Sequence, residues 1–553
     1  MPTLNWIGKD KVLNHHQEVP YKVLEHKFGV VDGEETSDNT KSGNLIIHGD
    51  NLEALKSLLP KYQGKIDCIY IDPPYNTGNE KWIYNDNVND PKIKKWLGEV
   101  VGQQGEDLSR HDKWLCMMYP RLRLLHKLLA DTGVIFISID DNEYSNLKFI
   151  CDEIFGVRNH LATLIWKTDG NYDNQAKIKI CHEYILSYGK EISTLGLPKG
   201  IDASIPLDSK LFKDEIRNTV VKNGSKNPMS RITLPIGFPC AVENLIIPER
   251  YNAFPYYHSQ AIIENFTLTN EVIIESGWAS KNILSSYIAS GFQPVLDTKN
   301  QKTRFEITAT GAIEMVKERD NDSYVISLLS GLGSTQSMSS QLKKMGLAFD
   351  FPKPISLIEY LINFYSSKNA TILDSFAGSG TTAHAVFNLN RDGGNRKFIL
   401  IEMEDYARTV TTERVKKVIT GYGEGKNAID GTGGEFDYFE LGERLFLEDG
   451  NLNEDINEDK IREYIFFTET NNANIVERNE NNRYFLGDVF NTSYYFYYDK
   501  HRKTSLTHET LRQIVKKKAE QYVIYADTCT LTEDEMNNLN VIFKKIPRDI
   551  KRF

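Results

Sequence analysis

Short runs of β-branched and aliphatic residues alternate along this chain with longer stretches whose apolar positions recur every three or four residues. The first run, Asn44-Leu45-Ile46-Ile47, is stopped by His48-Gly49-Asp50, and Leu52, Leu55, Leu58 and Leu59 follow at helical spacing. Ile66-Asp67-Cys68-Ile69-Tyr70-Ile71 then runs into Asp72-Pro73-Pro74-Tyr75. The pattern predicts strand, helix, strand, because the β-branched runs are too short to be buried helices. Trp114 to Ala130 predicts an amphipathic helix kinked at Pro120 and stopped by Asp131-Thr132-Gly133, with a buried strand over Val134 to Ile139. Near-continuous apolar strands alternating with helices give an α/β fold with a doubly wound, mostly parallel sheet. The runs around Leu164–Trp166 and Tyr184–Tyr188 add an antiparallel edge.

The alternation fails between about 190 and 345, where polar turns such as Lys222-Asn223-Gly224-Ser225-Lys226-Asn227-Pro228 separate short strand-like runs. It resumes with a helix over Ile355 to Tyr365, a strand Thr371-Ile372-Leu373-Asp374, a glycine turn into another helix, and a strand Lys397-Phe398-Ile399-Leu400-Ile401 ending at Glu402. The expected organisation is a polar arm over 1–43, one half of an α/β domain over 44–190, an inserted module over 191–345, the second half over 346–420, and a C-terminal α+β module over 421–553.

Composition narrows the classes. With 40% hydrophobic and 26% charged residues the 553-residue chain is globular rather than disordered or fibrous. No apolar run reaches the roughly 18 residues of a membrane span, and MPTLNWIGKD lacks a signal peptide's apolar core, so a soluble, cytoplasmic protein is expected. The six cysteines are scattered, with no Cys-x-x-Cys and no histidine cluster, so no metal site or disulfide framework is expected. A net charge of −10 excludes a wholly basic coat but not one basic face for nucleic acid.

Two motifs carry chemistry. Gly378-x-Gly380-x-x-Ala383 follows a strand and opens a helix, and Glu402 lies 24 positions after Gly378 at the end of the next strand. Glycines admit a ligand close to the backbone, helix N–H groups face its anionic end, and the acid accepts from ribose hydroxyls. That chemistry suits a nucleotide-type cofactor, NAD or FAD as well as S-adenosylmethionine; the missing Gly-Lys-Ser/Thr excludes a P-loop. The second motif, Asp72-Pro73-Pro74-Tyr75, sits at the strand edge that lines the ligand crevice of such sheets. An acid, carbonyls freed by proline and an aromatic suit a flat ring with an exocyclic amine. The acid and a carbonyl take its two N–H bonds, while Tyr75 stacks on its face for about 1–3 kcal/mol.

Together, Asp-Pro-Pro-Tyr and Phe376-x-Gly378-x-Gly380 resemble the amino-methylating DNA methyltransferases that use S-adenosylmethionine. The catalytic motif precedes the cofactor motif, as in their β class. His48-Gly49-Asp50-Asn51-Leu52-Glu53-Ala54-Leu55, Asn76-Thr77-Gly78-Asn79-Glu80, Tyr84-Asn85-Asp86 and Phe351-Pro352-Lys353-Pro354 extend the likeness. It is strongest to the Mod subunit of type III restriction–modification systems, close over 44–190 and 345–420, looser beyond, and positional in the middle.

The resemblance implies a Rossmann-like methyltransferase domain with a target-recognition domain inserted at 191–345. Asp72 and the Pro73 carbonyl hold the target amine, Pro74 stiffens the loop and Tyr75 stacks on the base. Asp374, Phe376, Ala377, Gly378, Gly380 and Thr381 surround the cofactor, with Glu402 on its ribose, Asp50 on its adenine amine and Lys353 on its carboxylate. It further implies double-stranded DNA as substrate, adenine N6 ahead of cytosine N4 as the acceptor, base flipping and a homodimer. No DExx-box or nuclease cluster is present, so cleavage needs a separate restriction subunit. Rival readings are a solitary methyltransferase, one acting on RNA or a protein amide, a catalytically silent specificity subunit, and an NAD-linked oxidoreductase, in which Asp-Pro-Pro-Tyr has no job.

Overall fold

The computed structural model describes residues 3–77, 107–169, 177–201, 205, 215–298, 301–318, 323–425, 428–470, 475–476, 479 and 482–547. The chain divides into two compact units, Met1–Pro198 with Ile326–Phe553, and Lys199–Val325.

The first unit is built on eleven strands: β1 (Lys22–Val31), β2 (Glu34–Thr36), β3 (Leu45–His48), β4 (Ile66–Ile71), β5 (Leu129–Ile139), β6 (His160–Lys167), β7 (His182–Gly189), β8 (Leu328–Leu329), β9 (Thr371–Asp374), β10 (Lys397–Glu402) and β11 (Glu435–Arg444). They lie in the order β2-β1-β11-β3-β10-β9-β4-β5-β7-β6-β8. From β11 to β5 every neighbouring pair is parallel, whereas β5–β7 and β7–β6 are antiparallel. The central strands are apolar on both faces, with Ile46, Ile47, Ile69, Ile71, Ile372, Leu373, Ile399 and Leu400 all buried. Both faces must therefore be covered, as the crossover helices of a parallel sheet require. Helices α1 (Asn51–Tyr62), α2 (Asp107–Leu128), α3 (Ile355–Asn363), α4 (Thr381–Leu389) and α5 (Glu413–Thr420) belong to this unit.

The topology creates a crevice. β3 and β4 are consecutive in the chain yet separated in the sheet by β10 and β9. The 44–77 and 371–402 segments are thus interleaved, and their strand C-termini share one edge. In α/β sheets ligands bind at such carboxyl edges.

Several expectations are corrected. The polar arm over 1–43 contributes β1, which pairs antiparallel with β2 and β11; only two of its ten residues are buried, so it reads as polar sequence. The module placed at 421–553 accordingly gives β11 to the main sheet, and only the later strands (Phe485–Val489, Thr492–Phe496, Gln521–Ala526, Val541–Lys545) form a sheet of their own. The inserted unit closes at Val325, because Leu328–Leu329 pairs with Ile165–Trp166. That return lies in short polar, glycine-rich sequence that hides it. Pro120 lies inside the continuous helix α2, and the chain passes directly from Leu128 into β5.

The second unit is small-sheet β structure: Met229–Leu234, Val272–Gly277 and Tyr256–Tyr257 in one sheet, Leu245–Ile247, Ala261–Glu264 and Thr267–Leu268 in a second, and a four-stranded sheet containing Lys302–Ile307 and Ile313–Glu318. Phe238, Tyr257, Trp278, Tyr287 and Phe305 anchor its core.

Candidate active site

Four carboxylates mark the C-terminal edge of four adjacent parallel strands: Asp50 just after β3, Glu402 ending β10, Asp374 ending β9 and Asp72 just after β4. Between the last two lies a cavity of about 310 Å³, its open mouth included, lined by Tyr70, Asp72, Lys353, Asp374, Phe376 and Gly378 among others. The residues of both sequence motifs therefore meet at one site.

The Asp72-Pro73-Pro74-Tyr75 loop is fixed from several sides. Trp114 on α2 donates its Nε1–H to the Pro74 carbonyl at 2.7 Å. The Tyr75 hydroxyl donates to Glu183 Oε2 on β7 at 2.8 Å. Lys353 Nζ donates to Asp72 Oδ2 at 2.6 Å and to the Tyr75 hydroxyl at 2.9 Å, and stands 3.4 Å from Glu183 Oε2. The lysine side chain is 7% exposed. Burial pulls its ammonium down, but Asp72 and Glu183 outweigh that and hold it above the usual range. Burial first, then the same two carboxylates, push the Tyr75 hydroxyl far up, so it stays protonated. Asp72 Oδ1 is buried with no partner among the described residues, an acceptor held ready in a site where burying one unmatched is costly.

Beyond the loop, Asn76 takes a left-handed φ of 59° and its amide donates to Glu143 Oε1. Buried Glu143 also accepts from Asn146 at 2.7 Å and meets His111 Nδ1 at 2.6 Å. Burial raises its carboxyl against these hydrogen bonds. Gly78-Asn79-Glu80 and Tyr84-Asn85-Asp86 lie outside the described residues.

The glycine turn is equally determined. Gly378 has φ +50° and a Cβ there would stand 3.2 Å from the Phe349 ring; Gly380 has φ +80° and its Cβ would meet Thr411 at 3.1 Å. Glu402 Oε2 accepts the Gly378 N–H at 2.8 Å, and its Oε1 accepts from Met403 and Glu404 at 2.9 and 3.2 Å. Asp374 accepts from Phe376 N at 3.1 Å and from the Thr382 hydroxyl at 2.5 Å. Burial raises both carboxyls to about 7 against these hydrogen bonds.

Asp72, Lys353, Asp374, Phe376, Ala377, Gly378 and Thr381 line the cavity, whereas Asp50, Pro73, Pro74, Tyr75, Gly380 and Glu402 do not. Asp50 caps α1 through Leu52 N and Glu53 N at 2.9 and 3.1 Å and lies 3.5 Å from Arg121. Lys353, expected on a cofactor carboxylate, instead places its ammonium on the Asp-Pro-Pro-Tyr loop. Glu183, Trp114, Glu143 and Arg121 were missed in the sequence. A charged residue opening the otherwise apolar strand β7 was the available sign for Glu183. In the second unit Arg231 and Arg304 pair with Glu275 at 3.2 Å and Glu215 at 2.8 Å, while Lys222 and Lys226 are exposed.

Fold and site define a doubly wound α/β protein whose crevice joins a rigid acid–proline–proline–tyrosine loop to a glycine turn. Residues 66–413, more than half of the chain, match the family model described as DNA methylase, and the chain belongs to that family. It is similar to the type III restriction–modification enzyme EcoPI Mod subunit of Escherichia phage P1, with 33% identity over 431 residues, 73% of this chain and 64% of the relative. The EcoP15I Mod subunit of Escherichia coli is 30% identical over 449 residues, again 73% and 64%. The type II methyltransferase M.KpnI of Klebsiella pneumoniae is 32% identical over 378 residues, 66% of this chain and 81% of the relative. The match thus spans less than two thirds of the length of the Mod subunits.

Proposed function

We propose that this chain transfers a methyl group from S-adenosylmethionine to adenine N6 within a short DNA sequence, as the modification subunit of a type III restriction–modification system. The observation that carries the reading is the buried Asp72 Oδ1, without a partner among the described residues, on a side chain that lines the cavity together with the glycine turn.

The residues present fit the methyl donor. Gly378 lines the cavity at a left-handed φ, where a Cβ would crowd Phe349, itself a lining residue; Phe376 and Ala377 wall the same space, and Glu402 fixes the turn by its bond to Gly378 N–H. When bound, the donor supplies an electrophilic sulfonium methyl. Asp374, Thr381 and the turn, which line the cavity, would hold the donor there. Asp50, the N-cap of α1 just after β3, and Glu402, at the end of β10, stand at the same strand edge outside the cavity lining, on the strands expected beside the donor's adenine and ribose.

An exocyclic amine is a weak nucleophile because its lone pair is delocalised into the ring. Asp72 Oδ1 accepts one amine N–H and the Pro73 carbonyl the other, which returns electron density to nitrogen and aims it at the methyl. Asp72 Oδ1 would take the surplus amine proton once the amine carries the donated methyl. Tyr75, its hydroxyl fixed by Glu183, stacks on the base. Positioning and electrostatics do the work. In duplex DNA the base must first be flipped out, at a few kcal/mol.

The second unit is the part that reads sequence, because base edges must be contacted outside the crevice. A homodimer divides reading from catalysis between two copies, and a separate subunit performs cleavage. Light scattering of the chain, free and on DNA, tests the dimer; a monomer in both states refutes it. The activity is tested by incubating the chain and Asp72→Ala with labelled S-adenosylmethionine and unmodified plasmid, then digesting to nucleosides. Label in N6-methyldeoxyadenosine, lost in the variant, supports the reading. Label in N4-methyldeoxycytidine corrects the base, and label in neither refutes the proposal.

A further inference from the structure

A fully buried arginine lies behind the glycine turn with no carboxylate among the described residues to balance it. Arg414, on α5, is 0% exposed. Its NH1 donates to Ser379 Oγ at 2.7 Å, Thr381 Oγ1 at 2.9 Å and the Ser379 carbonyl at 3.3 Å; its NH2 meets only Met338 Sδ and His384 Nδ1, each at 3.5 Å. Its Nε has no partner among the described residues. No carboxylate there lies within ion-pair distance, whereas buried Arg121 has Asp50. The charge sits beside the first residue of α4, where the helix dipole is already positive. A buried, unpaired cation costs several kcal/mol. Such a position makes sense if an anion completes it.

The hydrogen-bond directions show where that anion would bind. A guanidinium only donates, so the two hydroxyls it touches accept from it and keep their own hydrogens for other acceptors. Thr381 currently gives its hydrogen to the Lys353 carbonyl at 3.2 Å. Ser379 stands 3.4 Å from Thr381 Oγ1. Ser379 and Thr381 both line the cavity, and Lys353, the other cation there, is engaged by Asp72 and Glu183. The wall over Arg414 therefore offers polarised O–H donors in front of a buried positive charge.

We infer that Arg414 is a positioning residue for a carboxylate, acting through the hydroxyls of Ser379 and Thr381; resting on the methyl-donor reading above, that carboxylate is the one on the donor's amino-acid end. Lys353 then serves the target-base loop rather than the donor.

The test is calorimetric titration of the full chain with S-adenosylhomocysteine and with its decarboxylated analogue, 5′-S-(3-aminopropyl)-5′-thioadenosine. Arg414→Met is expected to weaken the carboxylate-bearing ligand about 10- to 100-fold, as for one charge-assisted hydrogen-bond network, while the decarboxylated ligand changes less than about twofold. Arg414→Lys, which keeps the charge, restores part of the loss. Equal weakening of both ligands, or none, overturns the inference while leaving the donor reading intact. Failure of the wild-type chain to bind either ligand overturns the donor reading and this inference with it. If Arg414→Met does not fold, Ser379→Ala carries the same test: selective loss of the carboxylate ligand supports the inference, and an equal or absent effect overturns it.

Discussion

Lys353→Met removes the cation that ties the two sides of the crevice together. In the native protein its ammonium spends three donors on three partners, Asp72 at 2.6 Å, the Tyr75 hydroxyl at 2.9 Å and Glu183 at 3.4 Å, with the side chain 7% exposed. Breaking a buried ion pair by deleting one partner costs about 3–5 kcal/mol. Asp72 is 25% exposed, so water repays part of that, and the Tyr75–Glu183 bond survives. The expected cost is about 2–3 kcal/mol, a fall in Tm of roughly 2–3 °C for a unit this large. Lys353→Met with Asp72→Asn removes both charges of the closest pair, so the double variant should lose less than the sum of the singles by about 1 kcal/mol or more. Differential scanning fluorimetry of the wild type, both singles and the double reads this directly. A Tm unchanged within a degree in Lys353→Met, or strictly additive losses, would refute the network.

Three further outcomes follow from the site. Asp72→Ala should lower methyl transfer by about 10²–10³-fold or more, the scale of one preorganised electrostatic partner, while calorimetry finds donor binding within about threefold of wild type; a comparable loss of binding would mean that Asp72 serves the donor instead. Gly378→Ala forces a Cβ residue into φ +50°, 3.2 Å from the Phe349 ring. The strain is about 1–2 kcal/mol, and donor affinity should drop about tenfold; an unchanged Kd argues against close approach at this turn. Asp374 is raised by burial to about 7 from 3.8, so the folded state holds its proton where the unfolded chain has lost it. Its contribution to stability declines as pH rises from about 4 to about 7 and is level above that. Denaturant midpoints of the wild type relative to Asp374→Asn should fall across that window, and a pH-independent difference would contradict the shift.

The parts of this protein that could be read in its sequence are those where local pattern and burial agree. Strands β3, β4, β9 and β10 are buried on both faces, so their apolar runs announce themselves, and both motifs stand at strand ends where backbone chemistry demands them. β1 was missed because only two of its ten residues are buried. The return of Leu328–Leu329 to the sheet was missed because two residues carry no periodicity. Glu183, Arg414 and Trp114 are single side chains whose partners lie 108, 35 and 40 positions away; only the strand order brings them together. Lys353 was legible as a site residue, but not which charge it would find, because Asp72 is 281 positions distant in the chain.

The central claim is that the crevice joining Asp72 to the glycine turn methylates an amine in DNA. Modification-sensitive single-molecule sequencing of genomic DNA from a host expressing this chain, beside an Asp72→Ala control, tests it most directly. The account predicts N6-methyladenine at one short motif, absent from the control, with one-strand modification of an asymmetric motif if the type III reading holds. An unmarked genome, in a host whose copy of the folded protein binds S-adenosylmethionine, would contradict it.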